Sequence, residues 1–279
     1  MAGVRPRLPG GFLALILFSP LARPGQIEDL IARLASPVVA EQDAAMRELA
    51  ALGPCAIPHL EAPLAGNDKG LSYRAEMILV SIREGTSFED LAKIAELVGR
   101  LGHLTEQQVN EIGAGRDPPL LTEVVQKGAA AVPALVRNLR QPGLIVPEFG
   151  DARAFKELPV ATVIGGFVSA EALARIGKPA MASLVRLLCD EEGPASFAVI
   201  LLASMGPDVQ EPLRRMLASD PTPEQCRRSL GRRALWTLAL SGDAEVVPEI
   251  LRLAECGRAA KSRPLSIGDR CSISESSSP

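Results

Sequence analysis

A turn phrase built around glycine occurs five times along the 279 residues of this chain. Each copy has a hydrophobic residue four positions before the glycine, and four copies have a leucine seven positions after it. Glycine ends a helix in the left-handed conformation that other residues resist, and proline is tolerated in the first turn of a following helix. The phrase therefore predicts a tight turn between two helices at 52–60, 127–135, 176–184, 205–213 and 241–250, the last stretched by one residue.

The distances between these glycines indicate the length of the two-helix unit. Successive glycines stand 75, 49, 29 and 36 residues apart, and a unit of about 30–40 residues fits the last two intervals. The first interval holds a degenerate unit, with a first helix at 71–83 and a second helix that opens at a capping box of Thr86 and Glu89. Thr105 and Gln108 form another capping box, which predicts a further short helix. About six helix pairs are thus expected in residues 26–256.

Composition agrees with an all-α fold. Apolar residues make up 47% of the chain but aromatic residues only 3%, and a core of small and unbranched side chains suits closely packed helices. The single tryptophan, Trp236, is predicted to fill the core between helix pairs. A net charge of −3 argues against nucleic acid or an anionic membrane as the partner.

Motifs for chemistry are missing from the sequence. It contains no phosphate-binding loop, no nucleophile elbow and no zinc-protease motif, and His59 and His103 are its only histidines. The five cysteines are scattered and include no C-x-x-C pair. This pattern fits neither a disulfide framework nor a zinc site. We therefore predict no catalytic residue, no metal site and no cofactor.

Three segments fall outside the predicted helix pairs. Arg5 and Arg7 precede an apolar run at 12–18, which is typical of an export signal, so residues 1–25 are predicted to be a leader with a cleavage site near Ala22. The alternatives are a buried cap strand, a disordered leader or a start site placed too early. The protein is accordingly expected to be exported, to the periplasm or outside the cell, and otherwise cytoplasmic. The run is too short for a stable membrane span, and the serine-rich segment 257–279 is predicted to be disordered.

An insert is predicted at 141–166, where the interval of 49 residues exceeds the length of one unit. Long loops in compact proteins are often functional. The alternative is a tolerated surface insertion. Candidate contact residues in the insert are Glu148, Phe149, Asp151 and Phe155.

The turn phrases resemble the HEAT-repeat and armadillo-like helical family, in particular the short bacterial HEAT-like repeats also found in phycobilisome lyases. In that family an Asp after the second helix and an Arg opening the next first helix recur as a pair. Asp68 with Arg74, and Asp220 with Arg232 or Arg233, stand at matching positions, whereas Phe197 and Ala198 replace the arginine after Asp190. The resemblance covers residues 40–255 and implies an α-α superhelix, a solenoid of about six helix pairs.

Six arginines are the candidate binding residues. Counting nine residues from each turn glycine, or ten in the stretched copy, reaches an arginine four times, and equivalent positions align in stacked repeats. A basic stripe along the second helices, on the concave face, would bind an acidic peptide of a protein partner, or an anionic glycan, because guanidinium groups contact carboxylates bidentately. The alternative is a solvated position at which each arginine pairs with a neighbouring glutamate or caps a helix C-terminus. The stripe comprises Arg137, Arg186, Arg215 and Arg252, thickened by Arg140 and Arg214.

The expected function is non-catalytic protein binding or scaffolding, because stacked helix pairs form extended surfaces that chiefly bind. One alternative, implied only by the family resemblance, is an enzyme-associated protein of the chromophore-lyase type. A second is a HEAT-like nucleic-acid-binding protein, which the net charge and the single tryptophan disfavour. The oligomeric state is left open.

Overall fold

The structure of the chain, a computed structural model, describes residues 25–66, 68–140, 160–188, 195–218 and 224–252. Within these ranges every secondary-structure element is a helix, and the helices pack in pairs. The chain divides into two compact units, with the boundary between Leu91 and Ala92. The all-α prediction is confirmed.

Unit 1 contains four complete helices. They are α1 (Gln26–Leu34), α2 (Val39–Ala51), α3 (Ile57–Ala65) and α4 (Lys69–Glu84). In α1 the apolar residues recur every three or four positions, and this stripe packs against α2 and α3. The core of the unit is made of aliphatic side chains that include Leu34, Leu49, Leu60 and Ile78.

The helices of unit 2 follow after the boundary, which lies within α5. They are α5 (Phe88–Gly99), α6 (Glu106–Gly113), α7 (Pro119–Gln126), α8 (Val132–Leu139), α9 (Val160–Ile176), α10 (Met181–Leu187), α11 (Ala195–Ser204), α12 (Gln210–Ala218), α13 (Glu224–Leu240) and α14, described over residues 247–252. Their core includes Leu121, Leu135, Leu173, Leu184, Leu202 and Leu213.

All five predicted glycine turns are confirmed. Gly53, Gly128, Gly177, Gly206 and Gly242 have φ angles of 61°, 54°, 69°, 65° and 91°, in the left-handed region that an L side chain resists. A short 3₁₀ turn follows each glycine and leads into the second helix. Gly85, with φ 65°, ends α4 in the same way before the second helix of the degenerate unit. The glycines therefore set where first helices end and second helices begin.

The two predicted capping boxes have different outcomes. The Thr105 box is confirmed: the Thr105 hydroxyl accepts from the Gln108 N–H at 3.3 Å, and the Thr105 N–H donates to Gln108 Oε1 at 3.0 Å. Before α5 the N-cap is Ser87, one residue later than the predicted Thr86. Ser87 Oγ accepts from the Asp90 N–H at 3.1 Å and donates to Asp90 Oδ2 at 2.7 Å. Both candidate pairs have the box spacing, so spacing alone could not choose between them.

Arg74 and Arg233 join elements that are distant in sequence. Asp68 caps α4 by accepting from the Leu71 N–H at 2.9 Å. Arg74 Nε donates to the Leu34 carbonyl at the end of α1, at 3.0 Å. In unit 2, Arg233 Nη1 donates to the Leu188 carbonyl after α10, also at 3.0 Å. Each arginine therefore satisfies a carbonyl that the end of an earlier helix leaves open.

Helix α9 begins inside the predicted insert. Its first residue is Val160, so residues 160–166 are helical and the insert ends earlier than expected. This part of α9 approaches residues 100–103 so closely that a Cβ on Gly165 would stand 3.3 Å from the Gly102 Cα. Glycine at 165 thus reflects helix packing and not a loop.

Several predictions fall on residues outside the described ranges. The leader lies there except for Gly25, as do the tail 257–279 and Asp220. The four insert residues Glu148, Phe149, Asp151 and Phe155 also lie outside them. These predictions stay predictions.

Candidate functional site

Three of the predicted arginines lie on second helices, each in the last turn of its helix. Arg137, Arg186 and Arg215 are in the last turns of α8, α10 and α12. A cation there interacts favourably with the negative end of the helix dipole. Arg137 is exposed and Arg186 is half-buried. Because of this position, each of these arginines stabilises the end of its own helix, whether or not it also binds a partner.

Some of these arginines contact acidic or polar groups on their own helix. Arg215 Nε donates to Glu211 Oε1 at 2.8 Å, and Arg252 donates to both carboxylate oxygens of Glu249 at 2.6 and 2.9 Å. Arg186 Nη2 donates to Ser183 Oγ at 3.0 Å. Exposed pairs of this kind contribute little stability, because solvent screens them. They also offset part of the positive charge that the predicted stripe would present.

The Glu249 pair has a defined pH dependence. Its hydrogen bond to Arg252 is the main reason that the pKa of Glu249 is lowered from the usual value, and burial opposes the shift. A lowered carboxylate pKa stabilises the folded chain above the usual pKa, and this contribution is lost as the pH falls through the lowered value.

Arg214 joins one helix pair to the next. Its Nε and Nη2 donate to Asp243 Oδ2 at 3.1 and 2.7 Å, and Nη2 also donates to Glu245 Oε2 at 2.8 Å. The Asp243 side chain is buried, and its other oxygen accepts from the Glu245 N–H at 3.1 Å to cap the turn before α14. The hydrogen bonds that Arg214 donates to Asp243 are the largest cause of the raised pKa of Arg214. Arg214 is therefore a structural link between α12 and the last turn.

Replacing Asp243 by alanine is expected to lower the free energy of unfolding by about 1–2 kcal/mol, the upper range for losing a helix cap. The change removes the cap and the buried acceptor of Arg214 together. Urea unfolding followed by the fluorescence of Trp236, the only tryptophan, measures the effect in unit 2. Glu245→Ala is the matched control, because Glu245 is exposed and also contacts Arg214; we expect a change below about 0.5 kcal/mol. Equal losses in both variants would contradict the structural role of Asp243.

Groups that could carry chemistry are sparse in the described part of the chain. No cluster of three or more metal-ligating side chains occurs there. His59 is exposed and lies 3.5 Å from Glu28, which fits a polar surface residue. A surface depression beside α6 is lined by Glu106, Gln107, Asn110, Glu111 and Arg116. It is open, and all five residues that line it are polar or charged, whereas pockets that hold small molecules are lined mostly by hydrophobic and aromatic side chains.

The prediction that Trp236 fills the core is wrong. Its side chain is 54% exposed, and Ile200, at the equivalent position six residues before its turn glycine, is 60% exposed. Leu240 lies one helical turn after Trp236 and is also exposed. On α9, Phe167 is exposed too, and it lies ten residues before its turn glycine instead of six. We call Phe167, Ile200, Trp236 and Leu240 the first-helix row.

The first-helix row extends over three packed helices of unit 2. Helix α11 contacts both α9 and α13, and the Phe167 ring meets Phe197 of α11 edge to face, with centroids 5.6 Å apart. In α7 the corresponding positions are Thr122 and Gln126, both exposed and polar. Six residues before the turn glycine, the surface is therefore polar on α7 and apolar on α11 and α13. The same count reaches Glu171 on α9, so counting back from the glycines finds Ile200 and Trp236 but does not predict Phe167.

No protein-family model matches the chain, and no curated protein or solved structure matches it significantly. Among the described residues, no helix has both the length and the apolar character needed to cross a bilayer.

Proposed function

We propose that this chain is a HEAT-like helical-repeat protein that binds a protein partner and acts as a non-catalytic scaffold. The recurring glycine turns and the pairwise helix packing support a solenoid of about six helix pairs. Each pair in such an array contacts its neighbours, and the array presents one residue position many times over an extended surface. Surfaces of this kind suit elongated or helical partners.

The observation that carries the proposal is the first-helix row. Folding normally covers large apolar side chains, and a cluster left exposed on packed helices marks a surface that another molecule covers. Tryptophan is also the residue type most enriched among the strongest contacts in protein interfaces. We assign the partner an apolar, helical contact segment, which would lie across α9, α11 and α13. The exported location expected from residues 1–25 would place this contact outside the cytoplasm.

The second-helix arginines are the other candidate surface, for an acidic partner. They rank lower because Arg214, Arg215 and Arg252 already contact acidic side chains of this chain. A partner would have to compete with these contacts. The two surfaces lie on different helices, so they can be tested separately.

A photo-crosslinking amino acid at position 236 or 200 tests the proposal. With extract of the native cells, we expect both positions to capture the same protein. The control is position 122, which is equivalent to 236 but polar and exposed. If position 122 captures the same protein as strongly, or if positions 236 and 200 capture nothing, the first-helix row is not the binding surface.

The captured protein, once purified, allows a quantitative test. Trp236→Ser is expected to weaken its binding by about 30-fold or more, as for a central interface residue. Thr122→Ala should leave the affinity unchanged. If Arg137→Glu with Arg215→Glu abolishes binding while Trp236→Ser has no effect, the partner binds the second-helix arginines instead.

A further inference from the structure

The sixth residue before the turn glycine is at least partly exposed on four successive first helices of unit 2. Helix α9 contacts both α7 and α11, and α11 contacts α13, so these positions follow one another across adjacent helices. Along this line the side chains change from polar to acidic, then to aliphatic and aromatic. They are Thr122 on α7, Glu171 on α9, Ile200 on α11 and Trp236 on α13.

Glu171 belongs to a group of three charged side chains in which negative charge exceeds positive charge. Arg175 Nη2 lies 3.0 Å from Glu171 Oε1, and the same guanidinium pairs with Asp117, which precedes α7. The Glu171 side chain is 44% exposed and the Asp117 side chain is 37% exposed. Two carboxylates thus share one guanidinium, and a cation from outside the chain can approach them.

The apolar end of the line begins on α11, which has no charged residue within its bounds of 195–204. A helix without a polar face is normally covered on all sides, yet Ile200 is 60% exposed. The two kinds of surface meet on α9, because the exposed Phe167 lies one turn before Glu171. A partner that crosses from α9 to α13 therefore passes from acidic surface to apolar surface.

The distance between neighbouring first helices sets the spacing of the contacts on a partner. Packed helices lie about 10 Å apart, and a partner helix covers this distance in about seven residues, which lie on one of its faces. A strand covers it in about three residues, which point to opposite faces. A polyproline segment also repeats every three residues, but its backbone has no internal hydrogen bonds, and the side chains of Ile200 and Leu240 offer none in return.

We propose that the partner binds through an amphipathic helix that has a basic residue about seven positions from its first apolar contact and about fourteen from its second. The basic side chain meets Glu171, and the two apolar side chains meet Ile200 and Trp236. This inference rests on the proposed function, because it describes the partner of the first-helix row. The basic residue also fixes the direction in which the partner helix crosses α9, α11 and α13, which apolar contacts alone would leave open.

Crosslinks from three positions of the full chain test the spacing. The photo-crosslinking amino acid is placed at 167, 200 and 236 in turn, so that Glu171 is retained, and mass spectrometry locates the attachment sites on the captured protein. We expect the three sites in this order on one face of one helix, about seven residues apart. Sites about three residues apart would identify a polyproline segment, and sites on separate elements would exclude a single crossing helix. Either result overturns this inference and leaves the binding surface in place.

Charge reversal tests the basic contact with the same captured protein after purification. Glu171→Lys is expected to weaken binding about fivefold, and changing the basic residue nearest the position-167 crosslink to glutamate should restore most of the loss. Glu211→Lys is the matched control, because Glu211 also pairs with an arginine four residues later but lies on the second helix α12. Its affinity should equal that of the wild type. Far-UV circular dichroism verifies that each variant keeps its helices.

The outcomes separate this inference from the proposed function. If Trp236→Ser weakens binding but Glu171→Lys does not, or if Glu211→Lys weakens it as much as Glu171→Lys, the basic contact is wrong and the first-helix row remains the binding surface. If positions 200 and 236 capture nothing, the proposed function fails and this inference fails with it.

Discussion

A Leu135→Ala variant is expected to lose about 3 kcal/mol of unfolding free energy, within the range measured for removing a buried leucine side chain. Leu135 lies seven residues after Gly128, is fully buried, and belongs to the core that α8 shares with its neighbours. Alanine would leave a cavity that helices packed on several sides can only partly close. For a unit of this size the midpoint of thermal unfolding should fall by roughly 6–12 °C.

Trp236 fluorescence during urea unfolding measures this loss, because the only tryptophan belongs to unit 2. Circular dichroism, as a second probe, shows whether the two units unfold together. Only then does a single free energy of unfolding describe the chain. Ile200→Ala is the control: the same kind of truncation at an exposed site should change stability by less than about 0.5 kcal/mol. A Leu135→Ala chain within about 1 kcal/mol of wild type would contradict the buried position of this leucine.

Gly165→Val is the other change with a large expected effect, a net loss of about 2 kcal/mol. A Cβ at this position would stand 3.3 Å from the Cα and 3.6 Å from the N of Gly102. Both atoms are backbone, so they cannot rotate away, and α9 must shift from residues 100–103. The better helix propensity of valine offsets only about 0.5 kcal/mol of the cost.

Gly231→Ala is the matched control for this prediction. Gly231 also lies inside a helix, α13, but nothing stands within 4 Å of a Cβ placed there. Alanine should therefore stabilise the chain by about 0.5–1 kcal/mol, through helix propensity alone. The same urea titration measures the unfolding free energy of both variants. If Gly165→Val stabilises the chain, α9 and residues 100–103 are not in close contact.

The candidate arginines show how far sequence reasoning reaches at the surface. Counting from the turn glycines predicted Arg137, Arg186 and Arg215 on second helices, where they lie, and the structure adds that they are in the last turns. The count could not show that Arg214 reaches Asp243, 29 residues away. That contact depends on how one pair of helices sits on the next.

The sequence by itself determined the helical class and the places where helices end. Glycine and proline act through local backbone geometry, so their spacing specifies the turns without knowledge of the neighbours. Tertiary structure decided which apolar residues are covered. Trp236 follows the same helical periodicity as a core residue, yet it is exposed because no described helix packs over that face of α13. Burial depends on which surfaces meet, and residues far apart in sequence determine that.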